Sequence, residues 1–221
     1  MSGAFNKELL RSITHSLGRF LAIAAIVALG TGFYAGLRMT APDMKTAADE
    51  FYDGTALMDV RVLSTLGLTE DDIAALRDVE GVQAVMPAYE TDVMATIGGE
   101  QYATRVHSLP DAARSSDASD GVHARSDDPE YLNRPILMEG SWPRRTGECV
   151  LSADLVAAQN ARVGDVVRIS QEAEGMEYAL VVDEYTVVGF VSAPYYATSS
   201  SLGSTSLGSG SITQYMYVPE S

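Results

Sequence analysis

Few residues in this 221-residue chain have the type and spacing that chemistry needs. Two adjacent carboxylate pairs, Asp71-Asp72 and Asp127-Asp128, could meet a divalent cation. The first lies where a helix should start and the helix dipole favours negative charge; the second lies in a loop-like stretch. The single cysteine, Cys149, falls in an apolar run with no histidine near it, which suits a core thiol better than a nucleophile. With one cysteine, no internal disulfide can form. His15, His107 and His123 are scattered and lack zinc-site spacing. Gly203–Gly210, GSTSLGSG, has glycines but no lysine and no strand-to-helix setting, so it reads as loop rather than as a phosphate cradle. There is no G-x-x-x-x-G-K-[ST], no G-x-S-x-G and no H-E-x-x-H. Trp142 and the Tyr195-Tyr196 pair could face a ligand or partner, although core packing is the commoner fate of such rings. The chain therefore reads as a non-enzyme, with no catalytic set, no cofactor and no metal site.

What the elements around these residues must do is set by Phe20–Leu37, FLAIAAIVALGTGFYAGL, a run of 18 residues without charge or proline. As a helix it covers about 27 Å at roughly 1.5 Å per residue, close to the roughly 30 Å hydrocarbon core of a bilayer. Lipid cannot solvate an unpaired backbone, so such a run reads as a transmembrane helix. Lys7, Arg11 and Arg19 precede it against a single Glu8; Asp43, Asp49, Glu50 and Asp53 follow it. Basic residues next to a span stay in the cytoplasm. Residues 1–19 are therefore expected inside, and residues after about 38 outside. The run ends in Phe33, Tyr34 and Leu37 rather than in a small-residue cleavage site, which favours an uncleaved anchor over a signal peptide. Gly30, Gly32 and Gly36 make a small-residue face on which another helix could pack closely. Phe5, Leu9, Ile13, Leu17 and Phe20 recur at helical spacing, so residues 1–19 read as an amphipathic segment on the inner membrane surface.

The net charge of −15 and pI near 4.4 exclude a nucleic-acid partner, whose phosphates need a basic face. After the span, Thr40 and Pro42 suggest the capped start of a helical stalk over 38–56. Leu57–Ser64 reads as a strand. Thr69-x-x-Asp72 is a loose capping box for a helix over Glu70–Val79, ended by Gly81, and Val82–Met86 reads as a second strand. Thr91–Ile97 and Gln101–His107 flank Gly98-Gly99 as a β-hairpin. The Ser/Asp/Ala-rich Asp111–Asp128 reads as a mobile loop, marking a boundary at about 111–130. Beyond it, strands are expected at Glu148–Leu151, Val166–Ser170, Tyr178–Val182, Tyr185–Val191 and Gln214–Val218, with a short helix at Ala153–Asn160 and a loop over Ser192–Ser211. The expected fold is α+β: one N-terminal transmembrane helix (20–37), a stalk (38–56), then a two-lobed mixed α/β extracytoplasmic domain (57–110 and a β-rich, incomplete 131–221).

Arg11–Met44, RSITHSLGRFLAIAAIVALGTGFYAGLRMTAPDM, resembles the start of bacterial FtsX-like/MacB-like ABC transporter permeases. Its exit from the span, Gly32, Phe33, Gly36, Leu37, Thr40, Pro42, Asp43 and Met44, carries that likeness most closely. Leu57–Tyr89 resembles the opening of the family's extracytoplasmic core domain, and Leu137–Ser152 and Tyr185–Tyr196 resemble its later part. The resemblance implies a permease subunit in the bacterial cell membrane. It would couple a separate cytoplasmic ATP-binding subunit to movement of the outer domain, with the bilayer and a second permease subunit as further partners. Family members continue with more membrane helices, so the chain is expected to be a fragment. The alternative is a stand-alone, single-pass anchored module that binds an extracytoplasmic partner. A secreted hydrolase with a signal peptide ranks last.

Overall fold

A computed structural model of the chain describes residues 11, 17–111, 128–153, 161–172, 180–196 and 202–220. The amphipathic segment expected at 1–19, the loop expected at Asp111–Asp128 and the helix expected at Ala153–Asn160 lie mostly outside the described residues. Two compact units make up the chain, Met1–Glu50 and Phe51–Ser221.

The first unit is dominated by helix α1, Leu17–Gly54, which runs on for its last residues into the second unit. It is 38 residues long, and its most apolar 18-residue window has a mean hydropathy of 2.0. By length and composition it can cross a membrane, and none of its residues is buried in protein. Thr31 donates its hydroxyl to the Val27 carbonyl at 2.8 Å, which satisfies that hydroxyl within the helix itself. The expected cap at Thr40 is not formed: Thr40 donates back to the Gly36 carbonyl at 3.0 Å and the helix continues through Pro42. Proline has no N–H for the carbonyl four residues earlier, so the Arg38 carbonyl loses its helical partner at the point where the apolar run gives way to charge.

The second unit holds seven strands: β1 Glu90–Ile97, β2 Glu100–Leu109, β3 Ile136–Gly140, β4 Glu148–Ser152, β5 Val166–Glu172, β6 Glu184–Ser192 and β7 Gln214–Pro219. Their order is β3-β6-β4-β7-β2-β1-β5, and β5 pairs again with β6, so six strands close into a barrel with β3 added at its side. Closure removes edges that would otherwise present unpaired backbone. All six strands send apolar side chains to one enclosed core, among them Val93, Val106, Leu151, Val167, Phe190 and Met216, each at most 2% exposed. Alternation along the strands puts the opposite set outside, where Leu109, Val150, Val191, Tyr215 and Tyr217 build a second core with Tyr131, Trp142 and Tyr196.

The α+β class stands: a long apolar helix and a mixed α/β domain with a sheet. The hairpin around Gly98-Gly99 forms, with both glycines at positive φ (60° and 92°), as a two-residue turn of this hand requires. The capping box also forms: Thr69 caps helix α2, Glu70–Arg77, and the Thr69 N–H and hydroxyl both donate to the Asp72 carboxylate at 2.8 Å. These bonds pull the Asp72 carboxyl below its usual range. Two expected strands do not form, and the described part of a third is irregular. Leu57–Ser64 and Val82–Met86 are irregular, and so are the described residues 180–182 of Tyr178–Val182. Valine-rich composition favours a strand only where a neighbour completes the ladder, and no strand pairs with these stretches among the described residues. The strand–helix–strand run expected over 57–86 is therefore a helix between two irregular segments. Conversely, β3 was not expected; it pairs with β6 where two glycines allow close approach, a Cβ on Gly189 lying 2.6 Å from the Glu139 carbonyl oxygen. The boundary at 111–130 does not divide the sheet, because β2 pairs in parallel with β7 and β1 pairs with β5.

Candidate functional site

At the open end of the β1–β2 hairpin, charged groups gather on the outer face of the barrel. The two-residue turn fixes the register, so Glu90 stands opposite His107 and Asp92 opposite Arg105. Arg105 meets Asp92 with two bonds, from Nε to Oδ1 at 2.7 Å and from a terminal nitrogen to Oδ2 at 3.1 Å. It also donates to the Ser204 carbonyl at 3.3 Å, which ties down the loop before β7. Arg61, from the irregular segment 57–69, donates to Glu90 Oε1 at 2.6 Å and to the Tyr195 hydroxyl. Its guanidinium carbon also lies 5.5 Å from the centre of the Tyr195 ring. His107 Nδ1 is 3.4 Å from Glu90 Oε2, and its Nε2 is 2.7 Å from the Tyr196 hydroxyl. A carboxylate only accepts, so the tautomer protonated at Nδ1 fits, with Tyr196 donating to Nε2. The His107 ring stacks on Tyr217 at 5.0 Å, and Tyr196 stacks on Tyr215 at 4.4 Å.

Burial governs the electrostatics. It pulls His107 down to about 4; Glu90 opposes this, while Arg105 and Arg61 add to it. The imidazole is thus neutral. Burial also pulls on Arg61, but Glu90 and Tyr195 more than offset it and leave the guanidinium above its ordinary value. Arg105 is raised well above its ordinary value, by its bonds to Asp92 first, against burial, with the Glu90 charge adding. Burial, then the Glu90 charge, lifts the Tyr196 phenol. Two cations and two carboxylates therefore balance around a neutral histidine. A hard-to-charge imidazole facing a hard-to-ionise phenol is a poor relay for protons, and each charge already has a partner of opposite sign. The arrangement suits holding rather than catalysis: it binds segment 57–69, the turn at Pro194–Tyr196 and the loop at Ser204 to one hairpin. The groove at the hairpin's other end, lined by Thr96, Gly98, Gly99, Asp165, Val166 and Arg168, includes none of these residues.

A second joint lies at the end of α1. Thr55 is fully buried and donates its hydroxyl to the Phe51 carbonyl at 2.8 Å. The Thr55 and Ala56 carbonyls accept from Arg134 and Asn133, both at 2.8 Å, and the Asn133 side chain accepts from the Met58 N–H at 3.0 Å. Ala56 and Asn133 both adopt positive φ, 49° and 50°. For alanine this conformation costs energy, which the surrounding bonds must offset.

Of the residues singled out from sequence, His107, Tyr195 and Tyr196 stand in this cluster, and the others described lie elsewhere. Gly30, Gly32 and Gly36 are in α1, with open space where a Cβ would stand. Arg19 is an exposed residue of α1, Arg11 is an exposed helical residue, and Lys7 lies outside the described residues. Cys149 is fully buried, and burial pushes its thiol up to about 12. Trp142 and Tyr196 are core residues, as ring packing suggests. Sequence reasoning missed Arg61, Glu90, Asp92 and Arg105. Three of the four were within reach, since the glycine turn dictates which charges face each other; Arg61 comes from a segment whose expected strand does not form.

The family model of the MacB-like periplasmic core domain matches residues 14–221. A search of curated proteins finds no match. Among solved structures, the crystal structure of the periplasmic region of MacB from Actinobacillus actinomycetemcomitans is similar, with 13% identity and a TM-score of 0.36. The match covers 69% of this chain and 55% of that one, so the chain spans about half the length of that relative. With nearly all of its length matched by the family model, this chain belongs to the MacB-like periplasmic core domain family of ABC transporter permeases.

Proposed function

We propose that this chain is part of a permease subunit that couples a cytoplasmic ATP-binding subunit to movement of an outer domain in the bacterial cell membrane. The observation that carries the reading is the continuity of α1. An apolar stretch of membrane length runs without a break into Gly54, and Thr55 and Ala56 are bonded directly to Asn133 and Arg134. A helix is stiff along its axis, so displacement at one end reaches the other. The bilayer holds residues 20–37, and the stretch 38–56 stands outside it. The Arg38 carbonyl freed by Pro42 supports that boundary, because water can solvate it there and lipid cannot. Lys7, Arg11 and Arg19 keep the N-terminus cytoplasmic. Gly30, Gly32 and Gly36 pack against another membrane helix of the same or a second permease subunit. ATP hydrolysis belongs to the partner subunit, and this chain performs none.

Deleting residues 5–19 from the parent protein should abolish co-purification of the ATP-binding subunit, while deleting 112–127 should leave it intact. Unchanged association in the first variant would overturn the coupling role given to the N-terminal segment. Failure of any ATPase to associate with the intact parent would favour the stand-alone anchored module.

A further inference from the structure

Residues 57–89 lie on the barrel without joining it. None of them belongs to a strand. Much of their apolar surface is exposed, with Val60 76%, Leu63 73% and Leu66 97% exposed, and α2 buries Ile73 alone. Both ends of the segment are fixed. Near its start, Met58 donates to Asn133. Near its end, Met86 packs against the outer core and Tyr89 exchanges bonds with Ser108 at 2.9 and 3.0 Å. Between these points, two arginines reach the rest of the domain. Arg77 meets Glu130 at 2.8 Å, with both side chains more than two-fifths exposed, and such pairs hold little. Arg61 instead combines a half-buried, charge-assisted bond to Glu90, a bond to Tyr195 and a place near the face of the Tyr195 ring.

We propose that residues 59–85 are a movable arm on the barrel and that Arg61, held by Glu90 and Tyr195, is its latch. The inference deepens the proposed coupling by naming the part that moves. Its test needs no ATPase, so either idea can fail alone.

The buried Cys149 leaves the native chain without a readily labelled thiol among the described residues, which permits spin labelling at introduced cysteines. One pair, Leu66→Cys with Glu100→Cys, reads the arm against the barrel; a second, Glu139→Cys with Glu100→Cys, reads the barrel alone. Full-length chain in micelles should give one narrow arm–barrel distance. Losing a charge-assisted bond shifts an equilibrium about tenfold, so Arg61→Gln should raise a second arm distance by about that factor. Tyr195→Phe should do so less strongly, and the barrel pair should stay unchanged in both. If Arg61→Gln unsettles the barrel pair, Tyr195→Phe alone decides. An arm distance that is already broad in the native chain overturns the proposal. So does one that stays narrow in the deciding variants.

Discussion

His107 is held neutral beside Glu90, Arg105 and Arg61, and this has a direct consequence for stability. Its ordinary value is 6.5 and the fold brings it down to about 4. Above pH 6.5 it is neutral in both folded and unfolded chains. As pH falls from 6.5 toward 4, the unfolded chain takes up a proton that the folded chain refuses, so stability declines. At about 1.4 kcal/mol per unit, the loss is at most on the order of 3–4 kcal/mol across that window. Urea denaturation followed by circular dichroism at a series of pH values should show the decline, and His107→Gln should flatten it. An equal slope in both proteins would place the responsible group elsewhere. The Arg105–Asp92 pair follows the same logic of burial. Its two bonds hold a guanidinium that is 13% exposed, and removing one partner would leave a desolvated charge. Glu90–His107 and Asp92–Arg105 were legible in principle, since a two-residue turn at Gly98-Gly99 leaves only one register for the flanking strands. Arg61 was not, because its contact joins residues far apart in sequence through a segment with no periodic pattern of its own.

Among the elements, the most legible were those whose signals are local. The capping box at Thr69, the hairpin glycines and the apolar runs of β4, β5, β6 and β7 each carry their own instructions. The misread elements depend on neighbours. Leu57–Ser64 has the composition of a strand and no strand beside it, while Ile136–Gly140 is a strand because β6 offers an edge shaped by glycine. That edge gives a sharp test. A methyl group on Gly189 would lie 2.6 Å from the Glu139 carbonyl oxygen and 2.8 Å from that of Ser141, both backbone atoms that cannot turn aside. Gly189→Ala should lower stability by about 1–3 kcal/mol, measured by thermal unfolding. Gly54→Ala, in open space at the end of α1, should leave the transition unchanged. Equal effects at the two sites would mean that β3 does not press on β6 as described.

For the molecule as a whole, hydropathy and charge asymmetry were enough to expect an anchored protein with an acidic outer part. They were not enough to show that strands on both sides of residues 111–130 share one barrel, because closure rests on pairings such as β2 with β7 and β1 with β5 that leave no local trace. The expected orientation can be checked on intact cells with a membrane-impermeant thiol reagent. Glu100→Cys should be labelled once the reagent reaches the outer face of the cell membrane, and Ser2→Cys only after lysis. Labelling of Ser2→Cys before lysis would reverse the topology inferred from Lys7, Arg11 and Arg19.

The outer core of the barrel contains the chain's one tryptophan, Trp142, 4% exposed and grouped with Tyr131, Tyr196, Tyr215 and Tyr217. Indole fluorescence shifts to the blue where water cannot relax the excited dipole, and tyrosines transfer excitation to a nearby indole. The protein thus carries a built-in optical probe at the layer where its tyrosines stack. Emission from a single buried fluorophore, fed by the rings that surround His107, reports whether that layer is closed without any label being attached.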